Sequence, residues 1–409
     1  MSENRTARSF LIATLVTLGI LLAFSAGVGI TWLVLRGGMP AVLPPAASGA
    51  ARESARDGDV GLFWEAWRLV EDHFYGELPD DEHLSWGLIR GGLATLEDAH
   101  TVFIEPQPRQ REKEALSGRF GGIGALVSRT EDGRIVLDPQ PDLPAAQAGV
   151  LKGDTVFKVD DTEITAQMTV DEVVNLIRGE VGTVVRLTLG REGQSESVVV
   201  EITRAEIPSP TVEARMLDGV PGAGYARISL FSDRTPQELR TAIADLQEQG
   251  MTRLVLDLRG NGGGLLDSGI KTAGAFLDGG PVVLQVEKGG KEHIYEAGSN
   301  PAFAEGTLVV LVDGGTASAS EIVAGALQDR GRAVLVGETT YGKGSVQQVF
   351  DLSDGSSVHI TFADWLTPNR RKITGVGLSP EFQVAISDED RSQGKDPQLD
   401  RAIQALDEK

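Results

Sequence analysis

The stretch Val310–Gln348, "VLVDGGTASASEIVAGALQDRGRAVLVGETTYGKGSVQQ", decides the fold. An apolar run ends at Asp313, a Gly-Gly turn follows, and Thr316-Ala317-Ser318-Ala319-Ser320-Glu321 opens a helix. A second apolar run, "AVLVG", comes after that helix. Short, nearly continuous apolar runs are the signature of strands buried on both faces. Strand and helix in alternation predict an α/β core. "RLVLDLR" and "TLVVLV" extend the same pattern upstream. At the helix start Thr316, Ser318 and Ser320 are all N-cap candidates, which is common at any helix. The alternation with alanine also clears space for a substrate backbone, and the free N–H groups of a helix N-terminus stabilise negative charge.

Further along, Gly337 followed by Gly342-Lys343 is most of a phosphate-binding P-loop, but Gly344 stands where Mg²⁺ needs a Ser or Thr hydroxyl. Lys343 then needs another purpose. A serine nucleophile requires a base. The five histidines, His73, His83, His100, His293 and His359, are scattered, and none has a metal-ligand spacing such as HExxH. Lysine can serve as base once burial lowers its pKa from about 10.4. Lys343, between two glycines past an apolar strand, is the candidate. Gln347 lies four residues on and can hold a neutral amine without adding charge. In "LDLRGNGGGLLD" a strand runs into Gly260-Asn261-Gly262-Gly263-Gly264, and such a loop lets backbone N–H groups approach a ligand as an oxyanion hole requires. It does not continue as a dinucleotide-binding G-x-G-x-x-G.

Residues 118–204 carry strand patterns in "RIVLD", "VVRLTL" and "SVVVEIT", and a helix in "TVDEVVNLIRG" with Thr169 as N-cap. Together with Phe120-Gly121-Gly122-Ile123-Gly124 and Ala148-Gly149-Val150-Leu151-Lys152-Gly153-Asp154, this resembles a PDZ domain. The resemblance implies that Phe120 to Gly124 form the loop that binds a peptide's terminal carboxylate. Upstream, residues 61–97 read as helical, with Phe63, Trp67, Val70 and Phe74 as a core stripe. Thr235-Pro236-Gln237-Glu238 reads as a capping box opening a helix that ends at Gly250. Leu399, Ile403 and Leu406 predict a docked terminal helix.

From about residue 60 to 385 the chain resembles the C-terminal processing peptidases, Ser-Lys endopeptidases with an inserted PDZ domain. The resemblance rests on "GYARISLF", "LVLDLRGNGGGLL", "LVDGGTASASEIVAGAL", "GETTYGKGSVQ" and "LTPNRRKITGVGLSPE", and "LEDAHTVFIEP" is similar to another of the family's segments. It implies a crotonase/ClpP-like α/β core. Ser318 would be the nucleophile, with Lys343, 25 positions later, as its base. Gln347 would assist the lysine, and the amides of Gly264 and Ala319 would hold the oxyanion. Glu381, where the family usually has aspartate, and Arg370-Arg371, in place of a glycine turn, depart from the pattern away from those residues. The family needs no metal or organic cofactor and acts on unfolded or loosely folded proteins with free C-termini. A homo-oligomer or an activating partner protein is compatible with it. A catalytically inactive PDZ adaptor on the same fold is the alternative. An acyl-CoA enzyme of the crotonase type fits the membrane segment and PDZ insertion poorly, and a P-loop ATPase fails at Gly344.

Length and charge bound the rest. The 409 residues suggest two or three domains, and 41% hydrophobic with 24% charged residues is ordinary globular composition. A net charge of −21 argues against nucleic acid. With no cysteine there is no disulfide, thiolate metal site or cysteine nucleophile. Phe10 to Leu35 is free of charge over 26 residues, enough to span a bilayer, and longer than a cleaved signal's apolar region. Arg5 and Arg8 before it leave the N-terminus in the cytoplasm by the positive-inside rule. The expected organisation is a cytoplasmic N-terminus (1–9), a transmembrane signal anchor (10–35), a Pro/Ala/Gly linker (36–58) and an N-terminal helical segment (59–113). A PDZ domain (114–204), a Ser-Lys protease core (205–385) and a C-terminal tail helix (386–409) complete it, with the catalytic part outside the cytoplasm.

Overall fold

The computed structural model describes residues 60–408. The expected cytoplasmic N-terminus, the span 10–35 and the linker lie outside these residues. Among the described residues no helix is long and apolar enough to cross a membrane. The described residues fall into two units, divided between Glu82 and His83.

The expected helical stretch 61–97 is two helices, α1 (Gly61–His73) and α2 (Asp81–Ala94). Between them Pro79 disfavours helical backbone at the residue before it. The expected core stripe does not become a core. Phe63 and Trp67 stack at 6.0 Å between ring centroids, but α1 has no buried residue and Phe74 is exposed. One short helix has too little surface around it to enclose large side chains.

In the second unit, β1 (Val102–Ile104) precedes α3 (Pro106–Ser117) and then β2 (Arg119–Gly122). A PDZ-like sheet follows: β3 (Ala125–Arg129), β4 (Ile135–Pro139), the short α4 (Pro144–Gln147), β5 (Asp154–Val159), β6 (Thr162–Glu163), α5 (Val170–Ile177), β7 (Val184–Gly190) and β8 (Val198–Thr203). Its order is β3-β4-β5-β7-β8, with β6 beside β5. It has its own core, including Ile123, Leu137, Val156, Val173, Leu187 and Ile202. Thr169 caps α5 in a full capping box with Glu172, as the pattern predicts. β9 (Ala205–Pro208) returns to pair antiparallel with β2.

The core sheet is built from β10 (Val212–Met216), β11 (Ala223–Ile228), β12 (Arg253–Asp257), β15 (Thr307–Val312), β16 (Val334–Gly337) and β19 (Phe382–Gln383), in that order. β11 through β19 are parallel, which explains why "RLVLD" and "TLVVLV" alternate so little: both faces are covered. The crossovers use α6 (Thr235–Glu248), α7 (Leu266–Ala273) and α8 (Ala319–Asp329). A second sheet orders β1, β18 (Ser357–Leu366), β13 (Pro281–Glu287) and β14 (Glu292–Glu296), with β17 (Ser345–Asp351) also paired to β18. After α9 (Asp388–Ser392), α10 (Pro397–Asp407) covers one sheet face through Ala402, Ala405 and Leu406, with Leu399 and Ile403 partly buried beside them. Arg259 fastens it, donating to both oxygens of Asp396 and to Asp257.

The expected capping box at Thr235 does not form. Arg234 is the N-cap, and the Thr235 hydroxyl donates to the Leu230 carbonyl while accepting from Ser232 N–H. Glu238 is turned to Thr211 and Arg234. Tertiary partners outcompete the local pair for both side chains.

Candidate active site

The GNGGG loop and the serine turn leave the C-terminal ends of neighbouring parallel strands β12 and β15, the place where α/β sheets hold ligands. Asn261, wholly buried, joins them. Its amide donates to the Ile228 carbonyl, its Oδ1 accepts from Gly263 N–H, and its own carbonyl accepts from Ala317 N–H and the Ser320 hydroxyl. Thr316, also buried, donates to the Leu258 carbonyl. Thr316 and Ser320 are thus structural, and the partly exposed hydroxyl residue of the three is Ser318.

Ser318 is the N-cap of α8 at φ 56°, ψ −119°. That is a glycine-like conformation, which costs a serine about 1–3 kcal/mol. Ala319 N begins the helix beside it. The glycines opposite need to be glycines. A Cβ on Gly263 (φ 107°) would sit 2.8 Å from Ser318 Cβ, and one on Gly264 (φ 138°) would sit 2.3 Å from the Phe231 carbonyl oxygen. Leu265 N–H donates to that Phe231 oxygen, so the loop runs alongside Phe231.

Lys343 enters from the loop between β16 and β17. Its Nζ donates to Gln347 Oε1 at 2.7 Å, and Gln347 Nε2 donates to the His100 carbonyl. The His100 contact fixes which end of the amide faces the lysine. His100 precedes β1 in a turn held by Asp98, which accepts from His100 N–H and the Thr101 hydroxyl. Burial pushes the Lys343 amine below the ordinary lysine range, against an opposing pull from the Glu112 carboxylate. Ser318, Ala319, Gly264, Lys343 and Gln347 all line one cleft of about 760 Å³. Its other walls include Leu266, Ile322, Val346, Phe362 and Trp365. A cleft with a hydroxyl, a partly buried amine and the Ala319 amide at a helix start can perform acyl transfer at a carbonyl. Among the described residues no cluster of His, Cys, Asp or Glu could hold a metal.

Two residues here escaped the motif reading. Glu112, on α3, lines the cleft and pairs with Arg109 at 2.7 Å and with His359 at 3.4 Å. Nothing in its sequence context marks it. Glu321 is wholly buried and accepts from Ser318 N–H at 3.0 Å, Gly342 N–H at 2.8 Å, Lys343 N–H at 2.8 Å and the Thr340 hydroxyl at 2.5 Å. Its signal was the Ser-x-x-Glu spacing from Ser318.

The groove of the PDZ-like unit is a separate cavity of about 410 Å³. Phe120, Gly122, Ile123 and Gly124 line it, with Val174, Ile177 and Arg178 of the α5 side opposite. The Ile123 and Gly124 carbonyls are taken by Ala145 and Gln140 N–H. Gly121 does not line the groove. A Cβ there would lie 2.0 Å from the Gly179 carbonyl, so this glycine serves close packing. Arg178 lies over the Phe120 ring at 4.0 Å, a cationic group on the groove that the glycine pattern alone does not predict.

Residues 222–384 match the model of peptidase family S41, and residues 135–191 match a PDZ domain. The chain is 35% identical to the carboxy-terminal processing protease CtpA of Bacillus subtilis, over 83% of this chain and 72% of that protein. It is 36% identical to a carboxy-terminal-processing protease of Bartonella bacilliformis, over 85% of this chain and 79% of that one. Among solved structures, a photosystem II D1 C-terminal processing protease matches with a TM-score of 0.45 at 34% identity, covering 78% of this chain and 86% of that one.

Proposed function

We propose, from the premise that this chain belongs to peptidase family S41 and is a serine peptidase with a PDZ domain, that it trims protein C-termini with a Ser318–Lys343 dyad. The observation that carries the reading is the single cleft shared by Ser318, Lys343, Gln347, Gly264 and Ala319. Neutral Lys343 takes the Ser318 proton as Oγ attacks the scissile carbonyl. The developing oxyanion is held by the N–H groups of Gly264 and Ala319. Lys343 then returns the proton to the leaving amine, and water, deprotonated by the same lysine, releases the acyl-enzyme. Gln347 gives the amine an uncharged acceptor, which orients it without favouring the ammonium. A carboxylate in that place would raise the lysine's pKa.

The groove lined by Phe120, Gly122, Ile123 and Gly124 is proposed to receive the substrate's terminal carboxylate, with Arg178 close to the site of its charge. On this reading the core is of the crotonase/ClpP-like kind. The charge-free segment 10–35 tethers the enzyme to a membrane with its catalytic part outside the cytoplasm, a proposal that rests on sequence alone.

The test is incubation of the protein with an unfolded substrate ending in a free or an amidated carboxyl group, with mass spectrometry of the products. Ser318→Ala and Lys343→Ala should each abolish cleavage, and Lys343→Arg should not restore it, because a guanidinium cannot act as base. Turnover by either alanine variant excludes the dyad. Charge-assisted hydrogen bonds are roughly twice as strong as neutral ones, so the free tail should be cleaved faster. Equal rates exclude reading of the C-terminus by the groove.

A further inference from the structure

The nucleophile and the base lie on different crossovers, the turn after β15 and the loop after β16, and neither can set the other's position through the chain. One side chain touches both segments. Glu321 Oε2 accepts from Ser318 N–H at 3.0 Å and from Lys343 N–H at 2.8 Å. Oε1 accepts from Gly342 N–H at 2.8 Å and from the Thr340 hydroxyl at 2.5 Å. A carboxylate offers about four acceptor sites, and all four are used. The residue is wholly buried. Thr340 is locked in turn, since its hydroxyl oxygen accepts from Leu378 N–H at 2.7 Å.

We infer that Glu321 is a positioning residue that holds the Ser318 turn and the Lys343 loop in fixed register, an assignment resting on the dyad reading above. A capping role alone explains only the bond to Ser318 N–H. The other three bonds reach 19 to 22 residues along the chain, to the segment that carries the proposed base. Ser318 sits in a conformation that serine resists, and such a residue persists only where surrounding contacts over-determine it. The Ser318 N–H bond to Glu321 is such a contact, and it leaves Ala319 N–H free of this carboxylate for the oxyanion. With its acceptor sites filled by amides and a hydroxyl, Glu321 also does not compete with Gln347 for the Lys343 amine.

The decisive variant is Glu321→Gln in the whole protein. Glutamine keeps the volume, but its NH₂ end meets at least one backbone N–H whichever way it turns, so the clamp loses at least one bond on one of its two sides. Three readouts separate the outcomes. Hydrogen exchange should speed up in both the 316–322 and 338–346 segments. The kcat should fall about 100-fold, the cost of a misplacement near 1 Å, while KM for an unfolded substrate changes little. The acid limb of the pH–rate profile should move to higher pH, because a loosened lysine loop lets water reach the amine. Glu321→Asp, too short to span both segments, should behave the same way and not rescue. Unchanged exchange in the 338–346 segment overturns the clamp whatever the activity. A kcat loss that merely tracks a smaller folded fraction, with the pH limb in place, also overturns it. Turnover by Lys343→Ala alongside faster exchange in Glu321→Gln would instead sink the dyad and leave the clamp standing.

Discussion

Lys343 is asked to be uncharged while a carboxylate shares its cleft. Burial lowers its pKa and Glu112 raises it, so the resting value is a compromise between the two. The ammonium form cannot accept a proton, so activity should rise with pH through this pKa, at a position below the ordinary lysine range. Removing the Glu112 charge removes the term that favours the ammonium. Glu112→Gln should therefore shift the acid limb to lower pH, with little loss of the plateau rate. A limb that stays in place, or moves up, would show that Arg109 and His359 already screen the carboxylate from the lysine. Ser318 and Lys343 could be singled out at this scale because the motifs that carry the family resemblance, TASAS and YGKG, are short and contiguous. Glu112 was not, because a carboxylate on a polar helix looks like any solvated one until the fold places it.

Two elements give contrasting tests. The glycine loop faces the serine turn with no room to spare, and a methyl on Gly263 would meet Ser318 Cβ at 2.8 Å and the Ala317 carbonyl oxygen at 2.9 Å. Gly263→Ala must move one loop or the other, and the left-handed backbone adds strain. Peptidase activity should fall by two or more orders of magnitude, while the proposed binding of a free-carboxylate peptide by the PDZ domain is left unchanged. Wild-type turnover by that variant would show that the two loops are not jointly required. At the other end, Thr169→Ala removes one side of the α5 capping box and should cost the PDZ domain about 1 kcal/mol. Thermal unfolding monitored within that domain checks this, and the active-site variants should leave it unchanged. The Thr169 cap was readable because both partners lie within four residues and nothing else claims them. The equally plausible pattern at Thr235 failed because Leu230, Ser232 and Thr211 claim its side chains first.

At the scale of the whole molecule, the connection between the terminal helix and the core sheet depends on pH. Arg259 joins Asp257 at the end of β12 to Asp396 at the start of α10. Tyr225 donates to the same Asp257. Arg259 and the backbone donors hold the Asp396 carboxyl below the usual aspartate value, outweighing the rise that burial alone would give. A depressed folded pKa means that this stabilisation is fully present above the unfolded value, about 3.9. It is lost as pH falls through the folded value. Asp396→Asn should cost about 2 kcal/mol at neutral pH, the scale of hydrogen bonds to charged groups. The gap between variant and wild type should close below about pH 4. A gap that persists in strong acid would locate the loss in packing of α10. The peptidase needs no metal on the proposed chemistry, so EDTA should leave cleavage intact, and loss restored by added zinc would refute that chemistry.

What the sequence by itself determined was the alternation of apolar runs and turns that builds the core sheet. The apolar runs of β12, β15 and β16 dictate a parallel sheet covered on both faces, and the glycine-rich turns mark where its strands end. The family motifs single out Ser318 and Lys343 as the candidate dyad. What only the tertiary structure decided is which groups meet across long separations. Gln347 takes its orientation from the His100 carbonyl, 247 residues earlier. Glu321 gathers amides from two crossovers, and Gly121 turns to Gly179 and leaves the groove to its neighbours. The physical reason is directional. A hydrophobic pattern needs only a face and a period, whereas a hydrogen bond needs one donor aimed at one acceptor within about 3 Å, and only the packed backbone sets that aim.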